Sequence, residues 1–259
     1  MRGETLDRNF AASCPWRLMN AEQLFDAIFL INLPHRQDRW TECMEELAIA
    51  KIPQRLVSRW EPDYDPNNCM AAGARTHRRL MRYIAKRDFH RVLILEDDFC
   101  AITKKVLVDA GFKPEQEVWK THCSILDGNG TFVQRFAAMQ KYLPAKWDIL
   151  YLAAGYGEPP ISRFNQHVIR CGRMKCTSTF MTNSAMAKKW TEWIDDVTQG
   201  DVTKGFGACD DVLAIKSHDW DYYCLQPRLL FQRASWSDTT KQAISYLYSM
   251  TDPVHESMV

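Results

Sequence analysis

Short continuous apolar runs recur along the chain, separated by longer stretches in which apolar residues return every three or four positions. Runs of the first kind fit strands buried on both faces, and the second spacing fits helices with one apolar face. Residues 26–33 predict a first strand, ended by Pro34. Asp38 is the expected N-cap of a helix through about Ala50, with Trp40, Met44, Leu47 and Ala48 at helical spacing. Residues 53–59 predict a second strand, and the Pro-, Asp- and Asn-rich stretch 61–68 a loop. A helix over 69–86 places Gly73, His77, Leu80, Met81 and Ile84 on one face. Arg75, Arg79, Arg82 and Lys86 form a basic stripe on another face.

Residues 91–96 predict a buried strand, and 100–130, with turn residues around 127–130, an insertion or lid-like loop. The pattern continues with a helix over 131–142, a strand over 147–153 and short strands over 168–171 and 178–182. Ser184 is the expected cap of a helix to about Val197, before a loop over 200–207 and a short helix over 210–217. Strands over 222–225 and 229–232 precede a tail that is helical at most after Ser237. Strands alternating with helices predict an α/β fold with a mostly parallel central sheet. The expected organisation is a lead-in over 1–24, one domain over 25–240 and a tail over 241–259.

Composition narrows the classes. With 46% hydrophobic and 25% charged residues, the 259-residue chain can build a core and is not expected to be disordered. A formal charge of +1 gives no global field that would favour nucleic acid. No apolar run reaches bilayer length, and residues 1–20 lack the apolar core of a secretory signal. Nine cysteines occur without a CxxC pair, which argues against a zinc knuckle and for free thiols. The expected location is therefore cytoplasmic. The basic stripe reads most simply as a solvated helix face, with contact to a phosphate or an anionic membrane surface as the alternative.

The chemistry concentrates at Glu96-Asp97-Asp98, where four apolar residues run into three consecutive carboxylates. Such a strand delivers them to its C-terminal end, where open α/β sheets bind ligands. Three adjacent negative charges repel one another, and a hard cation such as Mn²⁺ or Mg²⁺ among them would relieve this. The plainer alternative is a strand ending in a solvated acidic turn. Alternation along a strand would turn Glu96 and Asp98 to the same side. An aspartyl phosphatase would need Asp where Glu96 stands, and a receiver domain would carry its acidic pair near the first strand. His77, alone on an apolar helix face, is the pattern of a hydrogen-bonded core histidine.

Four segments in order resemble glycosyltransferase family 25, which includes lipooligosaccharide and collagen galactosyltransferases. They are Ile31-Asn32-Leu33-Pro34-His35-Arg36-Gln37-Asp38-Arg39, Gly73-Ala-Arg-Thr-His77, Leu93-Ile-Leu-Glu96-Asp97-Asp98 and Trp147-Asp148-Ile-Leu-Tyr-Leu. A fainter fifth runs from Pro227 through Gln232 to Ser237-Asp238. Thr76 stands where the family usually has Ser. The resemblance spans about residues 27–238. It implies a single GT-A glycosyltransferase domain, a UDP-sugar donor, Mn²⁺ or Mg²⁺, and an inverting transfer to a glycan, glycolipid or hydroxylated protein. A glycolipid acceptor would bring peripheral membrane contact. The alternative is a catalytically degenerate fold serving as a binding or scaffold module.

By that resemblance Asp98 is the first candidate for a direct metal ligand, with Glu96 and Asp97 beside it. Asn32, Leu33, Arg36, Arg39 and His77 are the candidate nucleotide-binding residues. The glycine-rich approach Gly205-Phe-Gly-Ala-Cys209 leads into Asp210-Asp211, which stands where related inverting enzymes carry a Glu-Asp pair. Asp211, then Asp210, are the candidate general bases, with Asp148 and Asp238 next. Asp at a helix start is equally well explained by capping. His218, Asp238 and His255 are open candidates for a third metal ligand, and Tyr156, Trp220, Tyr222 and Trp236 for stacking on a sugar or base.

Overall fold

The computed structural model describes residues 19–198, 213–237 and 242–244. Helix α1 (Ala21–Leu24) leads into β1 (Ala27–Ile31), α2 (Gln37–Ala50), β2 (Val57–Trp60), α3 (Cys69–Ala85) and β3 (Val92–Glu96). Then come β4 (Phe99–Ala101), α4 (Lys104–Asp109), α5 (Glu117–Cys123) and α6 (Phe132–Met139). Strands β5 (Ile149–Tyr156), β6 (Ser162–Asn165), β7 (Val168–Arg170) and β8 (Met174–Thr182) precede α7 (Ser184–Thr198). The described part ends with β9 (Tyr222–Leu225), β10 (Leu230–Gln232), β11 (Ser235–Ser237) and β12 (Gln242–Ile244).

Eight strands form one sheet in the order β2-β1-β3-β8-β5-β9-β7-β6. The pairs β1–β2, β1–β3 and β5–β9 are parallel, whereas β3–β8, β5–β8, β7–β9 and β6–β7 are antiparallel. The fold class is α/β as expected, and the sheet is mixed, with β8 and β7 running against the other six strands. A strand buried on both faces carries the same apolar run in either direction, so its sequence does not record its polarity.

Side-chain alternation divides the core between the two faces. Ile28, Leu30, Leu93, Leu95, Leu150 and Leu152 pack on one side with α1, α2 and α6. Phe29, Ile31, Val92, Ile94, Ile149 and Tyr151 pack on the other with α3 and α7. The result is three layers, helix–sheet–helix.

Several local expectations are corrected. Arg36, not Asp38, occupies the N-cap of α2. Asp38 sits in the first turn, where Arg36 grips its carboxylate at 2.7 Å and holds it well below the usual carboxylate range. Asn183, not Ser184, caps α7 by accepting from the Met186 amide. Ser184 instead ties α7 to the end of α3, donating to the Ile84 carbonyl and accepting from Phe89. Residues 100–130 are no lid-like loop: they hold α4 and α5 and bury Leu107, Val118 and Ile125. Arg135 of α6, itself buried, anchors this segment by donating to the carbonyls of Ile102 and His122. The tail after Ser237 includes strand β12, antiparallel to β11, rather than only helix. No helix among the described residues is long and apolar enough to cross a membrane, and the described cysteines Cys43, Cys69, Cys100, Cys123, Cys171 and Cys224 are free.

Candidate active site

Strands β1 and β3 are parallel neighbours, with Ile31 opposite Glu96. Their exits therefore lie side by side, and Asn32-Leu33 meets Asp97-Asp98 at the C-terminal edge of the sheet. A cleft of about 200 Å³ opens there. Asn32, Leu33, Arg39, His77, Glu96, Asp97 and Asp98 all line it. The N-terminal half of α3 and the loop carrying Asp63, Tyr64 and Asp65 close its other wall. Thr76 ties that loop down by accepting from the Asp63 amide at 2.8 Å.

The three carboxylates have different surroundings. Strand β3 stops at Glu96, so strand alternation does not govern Asp97 and Asp98, which form a turn. Asp97 is held on both oxygens: Arg39 Nη1 reaches Oδ1 at 2.6 Å and Asn32 Nδ2 reaches Oδ2 at 2.7 Å. Its carbonyl accepts from Arg233 Nη2 at 3.0 Å. Asn32 in turn accepts from Arg59, whose guanidinium lies 4.4 Å over the Trp40 ring. Asp97 thus locks the exits of β1 and β3 together and has little left for a ligand. Glu96, at the cleft mouth, meets His77 Nε2 at 3.2 Å. His77 is buried and stacks near Phe180, with ring centroids 6.1 Å apart.

Asp98 is buried, with Gln232 Nε2 donating to Oδ2 at 2.8 Å. Its other oxygen, Oδ1, has no hydrogen-bond partner. Burial, then the neighbouring Glu96 charge, pushes its carboxyl up to about 7. A buried, unpartnered carboxylate oxygen in a cleft is a vacant acceptor. Among the described residues no three His, Cys, Asp or Glu side chains are grouped to hold a metal by themselves. The available donors fit a magnesium-type ion held by one or two carboxylates and completed by ligand phosphates and water.

Gly73 adds a second sign of a ligand. It sits inside α3, where glycine costs a helix about 0.5–1 kcal/mol relative to alanine. A Cβ built there meets nothing within 4 Å, so packing does not demand glycine. Its missing side chain widens the cleft instead.

Not every expected residue converges here. Arg36 is not part of the lining and is engaged with Asp38. Asp148 precedes β5 at the opposite edge of the sheet, paired with Lys189 at 3.1 Å. Trp220 and Tyr222 are buried in the core rather than offered to a ligand. His218 pairs with Glu158 at 2.5 Å, away from the cleft lining. Asp210, Asp211, Asp238 and His255 lie outside the described residues, as do the side chains of Tyr156 and Trp236. The residues missed in sequence are Gln232 and Arg59. Gln232 reaches the site because β10 pairs with β4 and sets it opposite Phe99, and nothing local to residue 232 announces that pairing. Comparison with protein-family models and with curated proteins returned no match to this chain.

Proposed function

We propose that the chain is a metal-dependent inverting glycosyltransferase of the GT-A type. It would transfer a hexose, galactose or glucose, from a UDP-sugar to a glycan, glycolipid or hydroxylated protein. The observation that carries this reading is the unpartnered, buried oxygen of Asp98 beside Glu96, at the C-terminal exit of a parallel strand pair. The ordered resemblance to glycosyltransferase family 25 supplies the reaction class.

In this reading Asp98 and Glu96 are the protein's share of a Mn²⁺ or Mg²⁺ site. The ion, when bound, supplies Lewis-acid neutralisation of the departing diphosphate. Asp97 holds the turn and does not contact the ion. Asn32 and Leu33, at the β1 exit, line the space for the nucleoside, and Gly73 leaves room for it. Arg39 acts through Asp97 rather than on the nucleotide. His77 fixes the Glu96 carboxylate. An inverting transfer also needs a base to take the acceptor proton, and Asp211, seconded by Asp210, is the proposed base.

The test is a panel of UDP-, GDP- and CMP-sugars incubated with Mn²⁺, scoring binding and slow donor hydrolysis. UDP-sugars should bind only with Mn²⁺, and Asp98→Ala should remove that binding while the fold persists. Binding of no nucleotide sugar, or undiminished Mn²⁺-dependent binding by Asp98→Ala, would overturn the reading.

A further inference from the structure

The basic stripe of α3 remains outside the cleft and has its own architecture. Arg75, Arg78, Arg79, Arg82 and Lys86, with Trp60 and Tyr83, line a groove of about 480 Å³ and no acid contributes to that lining. These cations are spaced three and four residues apart, which brings like charges together on the helix and destabilises it. The carboxylates that answer them are few. Asp195 serves two arginines at once, Arg78 at 2.5 Å and Arg82 at 2.6 Å. Arg75 meets Asp63 and Asp65 only at 3.9 and 3.7 Å, and Arg79 meets Asp63 at 3.5 Å. Lys86 is exposed and makes no ion pair among the described residues. The floor is aromatic: the Trp60 and Tyr83 rings lie 5.4 Å apart, with the Arg79 guanidinium 4.9 Å from the Trp60 centroid. Stacking of this kind orients the Arg79 guanidinium; its Nη2 donates to the Glu61 carbonyl, and its remaining N–H groups are left for an anion.

We propose that this groove binds a small, soluble polyphosphorylated anion. A concave, acid-free lining with several guanidinium forks suits closely spaced phosphates, which offer more charge per volume than a carboxylate. A membrane surface is disfavoured because basic membrane-docking faces carry apolar side chains for insertion. None of the exposed large hydrophobic residues of the described chain lines the groove. The site is separate from the Asp98 cleft, although the loop bearing Asp63 and Asp65 borders both.

The test is calorimetric titration of the full chain with sodium tripolyphosphate in EDTA at 50 mM salt. The expected result is one site that weakens as salt rises. Lys86→Gln removes an exposed, unpaired charge and should leave folding intact. It should weaken binding several-fold, and Arg79→Gln/Lys86→Gln at least about tenfold, the scale of losing a charge-assisted hydrogen bond. Asp98→Ala should bind tripolyphosphate like the wild type. No binding by the wild type, or undiminished binding by both groove variants, overturns the proposal. Binding that appears only when Mn²⁺ replaces EDTA, and that Asp98→Ala then removes, assigns the anion to the cleft and likewise overturns it. Sedimentation with phosphatidylcholine vesicles containing phosphatidylglycerol gives the lipid arm: capture there without tripolyphosphate binding rejects a soluble ligand.

Discussion

Asp98→Asn should make the metal-free protein more stable at neutral pH. The carboxyl is raised from 3.8 to about 7 by burial and by Glu96. The folded state therefore holds that proton more tightly than the unfolded chain. Stability from this group is fully present below about pH 4 and is lost as pH rises to about 7. At about 1.36 kcal/mol per pH unit, the loss approaches roughly 4 kcal/mol. Water entering the cleft reduces it, so about 2–4 kcal/mol is expected. Asparagine does not ionise and escapes the loss. Its carbonyl oxygen can keep the bond from Gln232, and its amide can face Glu96 from the position where Oδ1 has no partner. Urea unfolding in EDTA at pH 4.5, 6 and 8 measures the effect. The variant should lead the wild type by only about 1 kcal/mol near pH 4.5 and by about 2–4 kcal/mol at pH 8. A difference that stays constant with pH, or a variant weaker at pH 8, would refute the reasoning. Added Mn²⁺ should then stabilise the wild type and not the variant, which separates the electrostatics of the turn from the proposed metal role.

Arg39→Met strands the Asp97 carboxylate in the interior and should cost about 3–5 kcal/mol in denaturant unfolding; a loss under 1 kcal/mol would mean Asp97 is solvated and does not lock the strand exits. His77→Ala removes the partner of Glu96 and should cost about 1–3 kcal/mol, whereas an unchanged melting temperature with lost activity would make His77 a direct ligand contact. Gly73→Ala should gain about 0.5–1 kcal/mol of stability while weakening donor binding, and tighter or unchanged binding would show that the ligand does not use that space. If Asp211 is the base, Asp211→Asn should lower kcat by about 10²–10⁴ with donor affinity near wild type. Asp210→Asn should then be milder, and small, equal effects from both would place the base elsewhere.

Much of the fold was legible because burial writes itself into apolar periodicity. The strands at Ile28, Leu93 and Leu150 announce themselves, and so does the helix whose face carries Leu80, Met81 and Ile84. Direction was not legible. Strand β8 carries Phe180 and Met181 as any central strand would, yet it runs antiparallel to both neighbours and turns the sheet mixed. Caps were half legible, since Asn183 and Ser184 are adjacent polar residues of similar propensity. Only the approach of Ile84 and Phe89 decides that Ser184 bonds across to α3 and Asn183 caps.

The acidic triplet shows where local reading stops. Glu96, Asp97 and Asp98 are three neighbouring carboxylates, and a sequence can say only that they share a strand end. Their separate roles arrive from distant parts of the chain. Asn32 and Arg39, 65 and 58 residues away, consume both oxygens of Asp97. Gln232, 134 residues away, takes one oxygen of Asp98 and leaves the other bare. A lock and a vacant acceptor therefore sit side by side, distinguished by donor supply rather than residue type. Asp97→Asn would place an amide against the Arg39 or Asn32 donor and should destabilise the fold at every pH. Asp98→Asn should stabilise it as pH rises. Opposite signs from the same chemical change at adjacent positions would follow only from this division. Equal signs in the same urea melts would mean that the two carboxylates share one environment, and the assignment of Asp98 as the vacant acceptor would fall with it.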